Sequence, residues 1–245
     1  MLKSPYDTDS ITWSPQGRLY QVEYAMEAIK QGSLCVGLRS STHAILATLN
    51  RSVNPLAEHQ QKTYRIDDKI GLCFAGLTAD GRLITKFLRN EALNYKYAYT
   101  QPIKPLRLVN KLAEKAQIKT QRYGKRPYGV GCLISGVDEL GPHIFEINPD
   151  ANFNEYYSVA IGVRNQAAKT YLEKHFESFP GLSRQELIQH AANAVKTSAQ
   201  NEQELNGKSV TISIVGVDED FTFLPGEEIE AVLGPAAGDR MEVDA

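Results

Sequence analysis

The sequence predicts an α+β fold in which antiparallel sheets pack against separate helix layers. Two observations carry that reading. Apolar runs of strand length come in blocks, and helical stripes fall between the blocks instead of alternating with single strands. Short turn-forming stretches such as Asp67-Asp68-Lys69 and Asn148-Pro149-Asp150 join neighbouring strands. Of the 245 residues, 42% are hydrophobic and 23% charged, near globular averages, so a sizeable core is expected. Length allows one large domain or two, and no segment reads as a linker.

The chain opens on an aromatic-rich, irregular stretch. Ser14 and Pro15 read as the N-cap and first residue of a helix over 14–32. Leu19, Val22, Met26 and Ile29 recur at helical spacing, and Gly32 supplies a stop. Apolar runs at 34–38 and 44–49 read as a hairpin, and a second pair spans 63–66 and 70–75. Two helices follow, one with Leu83, Ile84, Phe87, Leu88 and Ala92 on a stripe, the other with Leu106, Val109, Leu112, Ala113 and Ala116. Pro102 and Pro105 punctuate the gap. Strands return at 130–137, 144–147 and 156–161, and helices at 166–176 and 184–198. A strand at 210–217 and a helix near 226–233 complete the pattern. Residues 234–245 contain Ala, Gly and acids and read as a disordered tail.

A formal net charge of -2 argues against a nucleic-acid or anionic-membrane footprint. No apolar run approaches transmembrane length, and Met1-Leu2-Lys3-Ser4-Pro5 has no signal-peptide core. Cys35, Cys73 and Cys132 each lie in an apolar run and read as buried thiols of a reducing compartment, the cytosol or nucleus. No metal or cofactor is implied. His43, His59, His143, His175 and His190 show no ligand spacing. Gly129, Gly131 and Gly136 miss the dinucleotide fingerprint and read as close backbone packing within a strand. Asn50-Arg51-Ser52 is a formal glycosylation sequon without a secretory route, and paired acids such as Asp138-Glu139 read as solvated turns.

The stretch from Tyr6-Asp7 through Ser14-Pro15-Gln16-Gly17-Arg18-Leu19 to Tyr24-Ala25 resembles the N-terminal signature of the alpha-type subunits of the proteasome. Further segments fit the same family. They are Ala75-Gly76-Leu77-Thr78-Ala79-Asp80-Gly81-Arg82, Tyr123-Gly124-Lys125-Arg126-Pro127-Tyr128-Gly129-Val130, Gly141-Pro142-His143-Ile144-Phe145 and Ala160-Ile161-Gly162. The resemblance runs from about Tyr6 to Leu233. Among alpha types, Gln31-Gly32-Ser33, Arg122-Tyr123-Gly124-Lys125-Arg126-Pro127-Tyr128-Gly129-Val130 and Lys169-Thr170-Tyr171-Leu172-Glu173-Lys174 are most similar to the sixth position in systematic ring naming.

The resemblance implies a four-layer αββα Ntn-hydrolase sandwich with an extra N-terminal helix. It implies a single domain over 1–233, with a gate segment at 1–13. It also implies partners: other alpha subunits in a heteroheptameric ring, the beta subunits, and regulatory-particle ATPases or other activators. The implied place is the cytoplasm and nucleus, in ubiquitin-dependent protein degradation.

Catalytic relatives in this fold family use a processed N-terminal threonine, whose free amine serves as base. By resemblance Ser33 stands at that position here, behind a full helix. The aspartate expected at the end of the next strand is replaced by Leu49, while the family's lysine has a counterpart in Lys62. The chain therefore reads as non-catalytic. The alternatives are an N-terminal-nucleophile hydrolase using Ser33 and a free-standing adaptor.

Two sites are carried over by resemblance. Tyr6, Asp7, Pro15 and Tyr24 match the cluster that holds neighbouring N-termini in the open gate. Lys62, Gly76, Leu19 and Gly32 match a pocket between adjacent alpha subunits that receives an activator's C-terminal carboxylate.

Overall fold

A computed structural model describes residues 5–52, 56–199 and 205–234. The expected tail at 234–245, except Gly234, and the first four residues of the gate segment lie outside them.

Two five-stranded antiparallel sheets face each other. The first has the order β10-β9-β2-β1-β8, built from β1 (Cys35–Arg39), β2 (His43–Leu49), β8 (Ser158–Ile161), β9 (Val210–Gly216) and β10 (Thr222–Phe223). The second has the order β3-β4-β5-β6-β7, from β3 (Thr63–Asp67), β4 (Ile70–Gly76), β5 (Val130–Asp138), β6 (Gly141–Ile147) and β7 (Phe153–Glu155). Helices α4 (Asn165–His175), α5 (Arg184–Ser198) and α6 (Gly226–Leu233) cover the first sheet, sharing a core with Val36, Ile45 and Ile212. Helices α2 (Thr78–Tyr99) and α3 (Pro105–Thr120) cover the second, around Leu72, Phe74 and Ile134. A third core, with Leu46, Cys73, Leu133 and Phe221, fills the space between the sheets. This is the αββα sandwich of the Ntn-hydrolase fold. Each large apolar side chain buried there contributes about 1.5–3 kcal/mol, so the middle layer alone stabilises the fold strongly.

Local chemistry explains where the elements begin and end. Ser183 and Glu186 form a reciprocal capping box at the start of α5, and Pro105 opens α3 at a position where no backbone donor is needed. Ser40 Oγ accepts from the His43 N–H at 3.1 Å and closes the β1–β2 turn.

Three boundaries differ from the sequence reading. The first helix, α1, spans Tyr20–Gln31 and does not begin at Ser14. The Ser14 hydroxyl accepts from Arg18 N–H at 3.0 Å, and Ser14 N–H donates to the Arg18 carbonyl at 2.9 Å, closing a separate turn through Gly17. The expected strand at 156–161 is shortened to β8, Ser158–Ile161, and β7, Phe153–Glu155, precedes it where no strand was expected. Tyr156 N–H donates to Ile144 of the second sheet, while the Tyr157 carbonyl accepts from Arg39 of the first. The chain thus changes sheets at that dipeptide. A 3-10 turn at Phe176–Gly181 and the two-residue β10 carry no apolar period and were not expected.

Candidate functional site

Residues 5–19 form a strap pinned to the body at several points. Tyr24, on the exposed face of α1, donates its hydroxyl to Asp7 Oδ2 at 3.1 Å. Gln21, one turn earlier, donates to the Asp7 carbonyl at 2.5 Å. Asp9 Oδ1 accepts from the Ile11 and Thr12 N–H groups, both at 2.9 Å, in a local Asx turn. Ser10 is 2% exposed, and its hydroxyl donates to the Lys125 carbonyl at 2.8 Å, with the Arg122 carbonyl at 3.4 Å. Of the four expected gate residues, the structure brings Asp7 and Tyr24 together. Burial and then the Asp7 contact raise the Tyr24 pKa, so the phenol stays a donor. Tyr6 and Pro15 are exposed.

Of the residues expected at the lysine pocket, Gly32 and Gly76 meet where the C-terminal end of α1 reaches the end of β4, Lys62 precedes β3, and Leu19 stands at the opposite end of α1. Gly32 follows α1 so closely packed that a Cβ there would lie 2.2 Å from Gly76 N and 2.8 Å from the Ala75 carbonyl carbon. Gly76, at φ 118, has the Gly129 carbonyl oxygen 2.3 Å from where its own Cβ would be. Only glycine fits either place. Leu19 is the N-cap residue of α1, its carbonyl accepting from Val22 and Glu23. Lys62 precedes β3 and is only 5% exposed. Among the described residues no carboxylate or other acceptor pairs with its ammonium. Burial lowers its pKa; the Cys35 and Cys73 sulfurs oppose the shift and Arg51 adds to it. Gly32 and Gly76 therefore touch, whereas Lys62 and Leu19 make no hydrogen bond to either.

Ser33 directly follows the Gly32 junction and is 1% exposed, with its hydroxyl unpartnered among the described residues. The Gly32 carbonyl accepts from Val163 N–H at 2.7 Å, which fixes the peptide ahead of Ser33. Leu49 lies in the core between the first sheet and its helices. No ionisable group stands at the Leu49 position, and the Ser33 nitrogen is an amide.

One constellation escaped the sequence reading. Asp80, in the first turn of α2 and 3% exposed, receives both Arg126 Nη1 at 2.6 Å and Nη2 at 2.9 Å. It also accepts Gly129 N–H at 3.0 Å. Leu77 N–H donates to the Gly129 carbonyl at 2.9 Å, so the start of α2 and residues 126–129 are laced together. The only sequence trace was that Asp80 and Arg126 both lie in segments fitting the family pattern.

The family model described as "Proteasome subunit" matches residues 29–215, and a second, describing the N-terminal signature of the A-type proteasome subunits, matches residues 6–28. The chain belongs to the proteasome alpha-type subunits. It is 48% identical over 243 residues to a probable alpha type-6 proteasome subunit of Schizosaccharomyces pombe, covering 97% of this chain and 89% of that protein. It is 47% identical over 232 residues to the alpha type-1 proteasome subunit of Dictyostelium discoideum, covering 94% and 93%. With the alpha type-1 subunit of Trypanosoma brucei rhodesiense the identity is 41% over 254 residues, covering 100% and 96%. These names agree with the ring position that the segments at 31–33, 122–130 and 169–174 resemble.

Proposed function

We propose that this alpha subunit is a non-catalytic ring component of the 20S core particle of the proteasome, a threonine-protease complex. In this reading it scaffolds a heteroheptameric ring on the beta subunits. Its N-terminal segment takes part in gating substrate entry, and the pocket of Lys62, Gly76, Leu19 and Gly32 takes the C-terminal carboxylate of a regulatory-particle ATPase or another activator. The setting is ubiquitin- and ATP-dependent protein degradation in the cytoplasm and nucleus.

The observation that carries the docking role is Lys62, a side chain only 5% exposed whose ammonium, still within reach of solvent, has no counter-ion of its own among the described residues. An unpaired buried charge is costly, and an incoming carboxylate supplies what it lacks. The gate role is supported by the Tyr24–Asp7 hydrogen bond, which fixes the strap to α1.

The test is the affinity of an activator tail for assembled particles in which only this pocket differs. Lys62→Ala is expected to leave assembly intact and weaken docking at least tenfold; unchanged affinity ends the pocket role. The rival hydrolase reading needs a chain starting at Ser33. Ser33 is buried and amide-linked, with Leu49 in place of an acid. The intact mass of the chain released from native particles decides between them.

A further inference from the structure

We propose that His175 and His190 form a site for a divalent transition-metal ion of the imidazole-favouring kind, Zn(II) or Cu(II), which bridges α4 and α5. The site lies in the helix layer over the first sheet. It is independent of the pocket and gate reading above.

The two histidines have no ligand spacing in the chain, because they sit on different helices. His175 is the last residue of α4 and His190 lies within α5, and only the packing of the two helices brings the rings together. The ring centroids are 5.3 Å apart, with the planes tilted by 51°. Two imidazoles bound to one tetrahedral ion, at metal–nitrogen distances of about 2.0–2.1 Å, have ring centres about 5 Å apart, which is the spacing found here. Each ring has its other nitrogen already engaged. His175 Nδ1 donates to the Tyr171 carbonyl at 2.7 Å, which leaves the lone pair on Nε2. His190 Nδ1 lies 3.0 Å from the Tyr171 hydroxyl, whose oxygen has lone pairs for both His190 and Asn193, the latter at 3.3 Å. With His190 donating in that contact, its Nε2 also carries a lone pair. Among the described residues neither Nε2 has a hydrogen-bond partner.

Metal-ligating histidines hold their second N–H in a hydrogen bond of this kind, which fixes the tautomer and raises the basicity of the ligating nitrogen. Tyr171 supplies that bond to both rings, through its carbonyl and through its hydroxyl. Both side chains are partly exposed, so an ion reaches them from solvent. His175 stands at the C-terminal end of α4, where the helix dipole favours positive charge. The donor set also selects the ion. Imidazole nitrogen suits zinc and copper, whereas magnesium and calcium take oxygen ligands. Among the described residues no cluster of three or more His, Cys, Asp or Glu side chains is placed to hold a metal, so water fills the remaining positions. Binding is therefore weaker than at a closed structural site. An ion held this way ties the end of α4 to α5 and stabilises the folded layer, because the unfolded chain does not present the pair.

The test is carbethoxylation of histidines by diethyl pyrocarbonate in assembled particles, read residue by residue by mass spectrometry. Zn(II) is the probe and Mg(II) the control. Zn(II) is expected to slow modification of His175 and His190 several-fold with one common midpoint, and Mg(II) to leave both unchanged. His59, outside the cluster, should keep its rate throughout. His175→Gln is expected to abolish the protection of His190, and His190→Gln that of His175. Protection of His190 that survives His175→Gln means adventitious binding at a single imidazole and overturns the shared site. Unequal midpoints for the two histidines in the wild type do the same, and that comparison decides the matter even where neither variant assembles. Absence of protection at millimolar Zn(II) overturns the site outright.

Discussion

Asp80 and Arg126, 46 positions apart in the chain, form a two-pronged ion pair at 2.6 and 2.9 Å that ties the loop before β5 to the start of α2. The carboxylate is nearly buried, while the guanidinium keeps one side in solvent. Burial by itself would raise the Asp80 pKa. The Arg126 fork and the Gly129 N–H outweigh it and hold the carboxyl below its usual value.

The first prediction follows from that sign. A carboxyl with a lowered folded pKa gives stability that is present above its unfolded value, near 3.9, and lost as pH falls through the folded value. Asp80→Asn is expected to cost about 2 kcal/mol at pH 7, the scale of a charged hydrogen bond. The difference between variant and wild type should shrink on acidification below pH 4. Thermal unfolding at pH 7 and pH 3 checks this, and an equal gap at both values refutes it.

The glycine junction yields a second prediction. At φ 118 Gly76 lies where L side chains are strained, and a Cβ would strike the Gly129 oxygen. Gly76→Ala is expected to destabilise by more than about 3 kcal/mol, since strain and overpacking add. Gly124, also at positive φ but with open space around it, serves as the contrast. Gly124→Ala should cost only about 1 kcal/mol. Chemical denaturation of both variants separates strain alone from strain with a clash.

Periodicity made the single elements and the α+β class legible because the layers are built from regular elements, whereas the four-layer sandwich came with the family resemblance. Leu187, Ile188, Ala191 and Val195 announce α5 by spacing alone, and all four are buried. What failed was local competition. Ser14-Pro15 has the chemistry of a helix start, yet the Ser14 hydroxyl is taken by Arg18, and α1 begins at Tyr20. The Tyr156–Tyr157 crossing is invisible because both halves keep extended backbone, and only the partners change. In the candidate site, Lys62 was named by resemblance alone. The Asp80–Arg126 and Ser10–Lys125 contacts were not legible, because they join residues distant in sequence and carry no period.

A third prediction concerns pH near neutrality. His190 on α5 packs against the His175 ring at 5.3 Å between centroids and against Phe179 at 5.2 Å. Its Nδ1 meets Tyr171 Oη at 3.0 Å, and that hydroxyl also accepts from Asn193. Burial, then the neighbouring His175, lowers the His190 pKa, with Glu186 opposing. The folded state resists protonation, so stability is complete above about pH 6.5 and declines as pH falls below it. His190→Gln is expected to flatten the stability curve between pH 7 and 5. A variant whose melting temperature falls as steeply as wild type over that range excludes His190 as the source.

The Tyr24–Asp7 contact carries a fourth prediction. Tyr24→Phe removes one exposed hydrogen bond, worth about 0.5–1.5 kcal/mol, and leaves the ring in place. Fold stability should hardly change. Exchange at residues 5–13 should rise, and basal peptide hydrolysis by the particle should shift, because Gln21 then holds the strap to α1 without its neighbour's help. Unchanged exchange in the variant rules out Tyr24 as a strap anchor.

Lys62 combines a stability defect with the charge that the proposed docking role requires. Its folded pKa lies below the ordinary 10.5, because burial opposes the charge. At neutral pH the ammonium is therefore a burden on the folded state, relieved only as pH rises through the lowered value. Methionine has comparable length and no charge, so Lys62→Met is expected to raise stability by about 1 kcal/mol. The same substitution removes the cation that a terminal carboxylate needs, and docking should weaken at least tenfold, or about 1.4 kcal/mol. Lys62→Ala would confound the two effects by leaving a cavity, whereas Lys62→Met separates them. Unfolding midpoints and tail-peptide titrations on the same particles measure both. A destabilised Lys62→Met chain would mean that the ammonium is already compensated, and the argument for an incoming carboxylate would fall with it.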